Sequence, residues 1–332
     1  MKKILKYKIL IVALTLVFTA CEEHERTFDA PYVTDKALVR LYNLLPNPPN
    51  VDGGANYTYR KVEVNGVDVA ANNLEPLNTW SAISQSLGRY YATTPGAANI
   101  KLYLGPVENP VLSYDQNVQV AEGKQGLLLY AFDKPPAVIP EPDNWLPYRD
   151  KFDDTDTIMY IRFFNYMYEE AGVESPLVLQ YEYQYTINPL WTLADEAAGI
   201  IPPNAPIGGP RQSPVGQPRP NPTRSQWIPL GPPVAFGENT GWQIIPVKKD
   251  LDLSAGQARV DYRIRVVSGG TVDVNMNAAG VLLCRATRAA TGNLVAYTDW
   301  WTATIGRRQY HLFGGYRDGG APGVGVYTWL HK

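Results

Sequence analysis

Cysteine and histidine are scarce in this 332-residue chain: there are two cysteines, Cys21 and Cys284, and three histidines, His24, His311 and His331. A structural or catalytic zinc site draws several such ligands together, and these five are scattered, so neither a metal nor a cofactor is expected. Cys284 closes the apolar run Val281-Leu282-Leu283 and reads as a buried, inert thiol on a strand. No Gly-x-Ser-x-Gly elbow and no glycine-rich phosphate loop occurs, and no residue is assigned a catalytic role. Paired carboxylates for glycoside hydrolysis stay open, because their separation is set by the fold and not by sequence spacing. A surplus of positive charge is also missing. The chain has 30 Lys and Arg against 32 Asp and Glu, which argues against nucleic acid as a partner, since phosphate contacts demand a basic surface. The uncharged run Ile9 to Ala20 has twelve residues, too short for a bilayer that needs ~20.

That run does fit a secretion signal. Lys2, Lys3, Lys6 and Lys8 precede it, and it ends Phe18-Thr19-Ala20-Cys21. The ending resembles a bacterial lipobox, in which the cysteine is lipidated and becomes the mature N-terminus. Residues 1–20 are therefore expected to be a lipoprotein signal peptide, with Cys21 as the anchor and residues 21–36 as a tether. Glu22, Glu23 and Glu25 follow at once; this acidic cluster resembles the export tag of Bacteroidetes surface lipoproteins. The expected location is the outer membrane, facing the cell exterior, with the periplasm as the alternative. Without the four signal lysines, 26 basic residues remain against 32 acidic ones.

The body of the chain carries an internal echo. Val39-Arg40-Leu41-Tyr42-Asn43 returns as Ile161-Arg162-Phe163-Phe164-Asn165, Asn78-Thr79-Trp80 as Asn239-Thr240-Gly241-Trp242, and the frame Tyr114, Gly123, Tyr130 as Tyr297, Gly306, Phe313. Two copies of one β unit are indicated. In the first, Ala37 to Leu45 reads as a strand ended by Pro46-Asn47-Pro48-Pro49. Val62-Glu63-Val64-Asn65-Gly66-Val67-Asp68-Val69 reads as a hairpin, because Asn-Gly suits a turn whose two central residues need positive φ. Its valines would share one face. Further strands are expected at Ile100 to Leu104, Val111 to Tyr114, Val118 to Val120 and Leu127 to Phe132, and no dozen-residue window here sustains a helical period.

Arg40-Leu41-Tyr42-Asn43, Pro46-Asn47-Pro48-Pro49, Val51-Asp52, Val64-Asn65-Gly66-Val67 and the strand that follows Gly123 together resemble the domain-of-unknown-function family 4397 over residues 37–133. The resemblance implies immunoglobulin-like sandwiches on secreted or lipid-anchored bacterial proteins, often in tandem, and brings no catalytic residue with it. The expected fold is thus all-β: two tandem antiparallel immunoglobulin-like β-sandwich domains, residues 37–133 and a longer, diverged 157–332. A proline-rich linker, 134–156, would space them apart, with Trp145 and Tyr148 placed to dock on a neighbour.

In the second copy residues 201–233 are dense in proline and are expected to form an exposed excursion. Ala258 to Val267 and Thr271 to Met276 read as an extra strand pair, and Val324 to Leu330 as a last short strand. Leu179, Tyr181, Tyr183, Tyr185 and Ile187 alternate with Gln180, Glu182, Gln184 and Thr186, which predicts a strand with one apolar face. Trp300 and Trp301 should point to opposite faces, one of them exposed; with Trp145, Tyr148 and Trp227 they are the candidate ligand contacts. These observations point to a non-catalytic binding or assembly module, held to the membrane by its lipid anchor and engaging another envelope protein or a glycan or peptide. An all-β carbohydrate-active enzyme and a fimbrial-type structural subunit are the alternatives.

Overall fold

A computed structural model describes residues 35–45, 58–70, 77–78, 90–106, 108–141, 158–170, 172–188, 223–247, 256–285, 293–318 and 324–331. Every regular element among them is a strand. In the first half these are β1 (Ala37–Asn43), β2 (Thr58–Tyr59), β3 (Lys61–Val64), β4 (Val67–Asp68), β5 (Leu77–Asn78), β6 (Tyr91–Thr93), β7 (Gly96–Leu104), β8 (Val111–Val120), β9 (Gly123–Leu129) and β10 (Ala137–Pro140). They build one sheet in the order β10-β9-β1-β6 and another in the order β4-β3-β7-β8, with β2 and β5 as a separate pair. Alternate residues of both four-stranded sheets, among them Val39, Leu41, Val62, Ile100, Leu102, Leu127 and Leu129, meet in a single apolar core.

The second half contains β11 (Ile158–Glu170), β12 (Val173–Glu174), β13 (Val178–Asn188), β14 (Thr223–Arg224), β15 (Ile228–Pro229), β16 (Asn239–Pro246), β17 (Gln257–Ser268), β18 (Leu283–Arg285), β19 (Leu294–Ala296), β20 (Thr298–Thr304), β21 (Arg308–Tyr316) and β22 (Gly325–His331). One sheet runs β12-β11-β21-β22, with β16 also on β11; the other runs β14-β13-β17-β20, with β15 also on β13. Their inner faces enclose a second core that includes Ile161, Phe163, Tyr181, Val260, Ile264 and Phe313.

The strand orders of the halves correspond. β1 pairs in parallel with β9 and antiparallel with β6; β11 pairs in parallel with β21 and antiparallel with β16. The echoing pentapeptides therefore occupy the same place, and their asparagines do the same work. Asn43 Oδ1 accepts from the Leu45 amide at 3.0 Å, and Asn165 Oδ1 accepts from the Met167 amide at 3.2 Å. A buried side-chain carbonyl that satisfies an amide two residues on is a local requirement, which is why it survives as a local motif.

Several expectations are corrected. Asn78 lies in β5, paired with β2, whereas Asn239 lies in β16, paired with β11; that echo has no structural counterpart. The Gly123/Tyr130 frame is one residue out of step with Gly306/Phe313, because Leu129 stands opposite Asn43 as Phe313 stands opposite Asn165. Ala258 to Val267 is no insertion: β17 holds the place in its sheet that β7 holds in the other. Thr271 to Met276 forms turns closed by the bridge Val272 to Met276 instead of a strand. In the β3–β4 hairpin Asn65 and Gly66 both take positive φ, 51° and 77°. Val62, Val64 and Val69 are buried, but Val67 is 65% exposed, since β4 is the edge of its sheet.

The region expected to be a linker begins as structure. Ala137 to Pro140 is the edge strand β10, where a proline at the last position sacrifices no ladder bond, and Glu141 is buried behind it. Nor are the two halves held apart. Tyr42, Leu44, Leu128 and Ile139 from the outer face of the first sheet share a buried cluster with Phe164, Tyr166, Tyr310 and Leu312 of the second half. At its centre the Glu141 carboxylate accepts from Tyr42 Oη at 3.0 Å and Tyr310 Oη at 3.3 Å, and also from Tyr90. Arg40 Nη1 donates to Tyr42 Oη at 3.2 Å, and the Arg40 guanidinium lies 4.1 Å over the Tyr90 ring. Burial pushes the Tyr42 phenol well above its ordinary range, with the nearby Glu141 carboxylate adding to the effect, so it stays a donor. Gly126 makes this packing possible: a Cβ there would meet Tyr42 Cε2 at 2.6 Å and Glu141 Oε1 at 2.9 Å.

Candidate functional site

The second half carries a sheet face of arginines, carboxylates and tryptophans. Along β17 the sequence Ala258 to Val267 alternates strictly. Ala258, Val260, Tyr262, Ile264 and Val266 enter the core, so Arg259, Asp261, Arg263, Arg265 and Val267 take the outer face. On the neighbouring strands Arg263 stands opposite Glu182 and Thr298, and Asp261 opposite Gln184 and Trp300.

These side chains form two charge-bridged clusters. Glu182 accepts from Arg263 Nη2 at 2.7 Å and from Arg265 Nη1 at 2.9 Å. Asp261 accepts from Arg259 Nη2 at 2.9 Å and is also contacted by Arg224 of β14. The polar residues at the outer positions of β13 are covered: Glu182 is only 4% exposed and Gln180 only 7%. Arginine stems from the next strand lie over Glu182 while their guanidinium groups hold its charge. Gln180 is tied down through its amide to the Gly231 carbonyl at 3.1 Å.

Two tryptophans cap this ladder. The Arg263 guanidinium sits 4.4 Å from the centre of the Trp227 ring, and that of Arg259 sits 4.6 Å from the centre of the Trp300 ring. Such stacks hold an indole in one orientation. Trp300 nevertheless remains 50% exposed. The result is an ordered aromatic surface set among guanidinium groups, with Thr298 and Thr302 alongside on β20.

Behind the sheet the chemistry is sealed. Trp301 Nε1 donates to Tyr181 Oη at 2.9 Å, and that hydroxyl lies 3.2 Å from His311 Nδ1. Burial lowers the His311 imidazole from 6.5 to about 3, so it is neutral at ordinary pH. Burial likewise raises the Cys284 thiol to about 12, which removes its nucleophilicity. Tyr181 and Tyr183 are buried, as a core stripe requires.

Of the candidate contacts, the structure brings Trp227 and Trp300 to the same outer face and places Trp301 inside. Cys21, Glu22, Glu23, Glu25, Trp145 and Tyr148 lie outside the described residues. So do residues 201–222 of the proline-rich insertion. Its remainder is not an exposed excursion: β14 and β15 pair with β13, and Leu230 is buried in the core. Pro229 is accommodated because β15 is a two-residue edge strand. The arginine ladder was not recognised from sequence, although Arg259, Asp261, Arg263 and Arg265 at a period of two on an otherwise apolar strand are a visible signal. Among the described residues no three His, Cys, Asp or Glu side chains come together as a metal-binding group. No family model matches the chain, and no curated protein sequence matches it.

Proposed function

We propose that this chain is a lipid-anchored, cell-surface lipoprotein built of two tandem immunoglobulin-like sandwiches, and that it acts as a non-catalytic binding module. The observation that carries the binding role is the outer face of β13, β17 and β20, where Trp227 and Trp300 are held on arginines and Trp300 stays half open to solvent. An exposed indole fixed by its neighbours loses little conformational entropy when something stacks on it. The two carboxylates of that face are each spanned by two arginines, an arrangement that serves recognition better than proton transfer. The matching strand orders support the tandem arrangement, and the resemblance of residues 37–133 to family 4397 agrees with it. The lipobox-like Phe18 to Cys21 and the acidic Glu22, Glu23 and Glu25 support anchoring and export. A fimbrial role would call for a donated terminal strand, but β22 is paired along all seven of its residues with β21 of its own sheet.

The test is made on cells. Cys21→Ser is expected to move the protein from the detergent phase to the aqueous phase. The parent chain is expected to capture envelope material that the double variant Trp227→Ala, Trp300→Ala does not. Retention of the Ser variant in the detergent phase overturns anchoring, and unchanged capture by the double variant overturns the assignment of the face.

A further inference from the structure

The same face also specifies what it would bind, and this step rests on its being a binding surface. We infer that the outer face of β13, β17 and β20 takes a carboxylated glycan: one sugar ring stacks on Trp300, and carboxylates of the chain pair with the arginines around it.

Charge is the first argument. Among the described residues, four arginines, Arg224, Arg259, Arg263 and Arg265, share this face with two carboxylates, Glu182 and Asp261. The local balance is positive, in a chain whose acidic residues outnumber its basic ones. Arg265 keeps 40% of its side chain exposed while holding Glu182. A guanidinium has five N–H donors in a fixed fork, so an arginine that spends one edge on an internal carboxylate can still present another edge to an outside one.

Shape and polarity are the second. A protein partner would seek an apolar, charge-depleted centre, but the middle of this face is Arg263, Asp261 and Glu182. A sugar suits it better, because its C–H face covers an indole while its hydroxyls and carboxylate meet amides, hydroxyls and guanidinium groups. The internal acids also work against closely spaced phosphates by like-charge repulsion, whereas the carboxylates of a uronate chain are separated by at least one sugar ring. Register gives the scale: Arg259 and Arg265, six residues apart on one strand, span roughly 20 Å, room for several rings.

The experiment titrates the full chain with an oligogalacturonate, with its carboxyl-reduced neutral counterpart, and with poly-glutamate of matched charge. Calorimetry and quenching of indole fluorescence are the readouts. The expected result is that the oligogalacturonate alone binds with quenching, more weakly as salt rises. Trp300→Ala should weaken binding about tenfold, Trp300→Phe should restore most of it, and Arg265→Gln should weaken it about threefold to tenfold. Unchanged thermal unfolding of the variants separates lost binding from lost structure. Equal binding of the neutral glycan overturns the acidic class yet leaves a glycan-binding face standing. Equal binding of poly-glutamate overturns it in favour of an acidic peptide. Failure of all three probes overturns the inference, while the capture experiment on cells decides the broader reading on its own.

Discussion

Opposite the two signature arginines stand very different residues: Gly126 faces Arg40, and Tyr310 faces Arg162. In the first half the missing side chain leaves space that Tyr42 and Glu141 fill. In the second half Tyr310 projects from that position to reach the same Glu141 carboxylate. Two identical sheets laid face to face would bring together two tyrosines or two gaps. The halves fit because this position has diverged, so shared topology sets the docking face and one exchanged residue makes it one-to-one. A second difference lies one position on and points inward. Leu127 faces Leu41, where His311 faces Phe163; the first core is wholly apolar there and the second carries a buried imidazole.

The largest effect should come from the cores. Leu129 and Phe313 are matched, fully buried positions. Phe313→Ala is expected to cost about 3–5 kcal/mol and Leu129→Ala about 2–5 kcal/mol. Because the halves share a buried cluster, denaturant unfolding of either variant should remain a single transition. Two transitions, only one of them shifted, would show that the halves are energetically separate.

Next is the inward difference. His311 is held well below its ordinary pKa of 6.5, at about 3, so the unfolded chain takes up this proton before the folded one. The stability tied to the neutral ring is complete above pH 6.5 and falls by about 1.4 kcal/mol per pH unit below it, until about pH 3. His311→Leu, which copies Leu127, should therefore show a shallower loss of stability than the parent between pH 6.5 and pH 4. Parallel curves would mean that the ring is not the source of the slope.

Smaller again is the outward difference. Gly126→Ala should destabilise by about 1–3 kcal/mol, because the new methyl meets the Tyr42 ring and the Glu141 carboxylate. A thermal melt within error of the parent would show that the two sheets separate at little cost.

Much of this could be read from sequence where the cause was local. The Asn43 and Asn165 side chains each bond an amide two residues away, so the motif that records them is short and intact. The alternation of Trp300 and Trp301 likewise told that one indole would be open and the other enclosed, and pairing decided that Trp300 is the open one. What depended on pairing was not legible. A strand's faces alternate with a period of two, so sliding the Gly123/Gly306 frame by one residue exchanges core for interface. That slip matched Tyr130, outside the first core, with Phe313, inside the second. Short polar-aromatic matches such as Asn78-Thr79-Trp80 recur by chance and misled for that reason. The candidate site was half visible: its tryptophans stood out, but Glu182 meets Arg263 and Arg265 only through the register of two strands some 80 residues apart.

The parallel pairing of the opening strands governs the order in which the chain can fold as it emerges N-terminus first. β1 cannot gain its parallel partner until Gly123 to Leu129 have emerged, and Tyr160 in β11 waits for Arg308, 148 residues behind it. Ala37 waits only 86 residues for Gly123. The longer loop adds little in equilibrium terms, about 0.5 kcal/mol. In time it matters more, because pairings between distant segments form late and expose apolar strands meanwhile. The first half can thus be complete, with Tyr42 and Leu128 on its surface, while β11 is still without its parallel partner β21. The finished sheet then offers Phe164 and its neighbours a surface to settle on, and the earlier half serves as a scaffold for the later one.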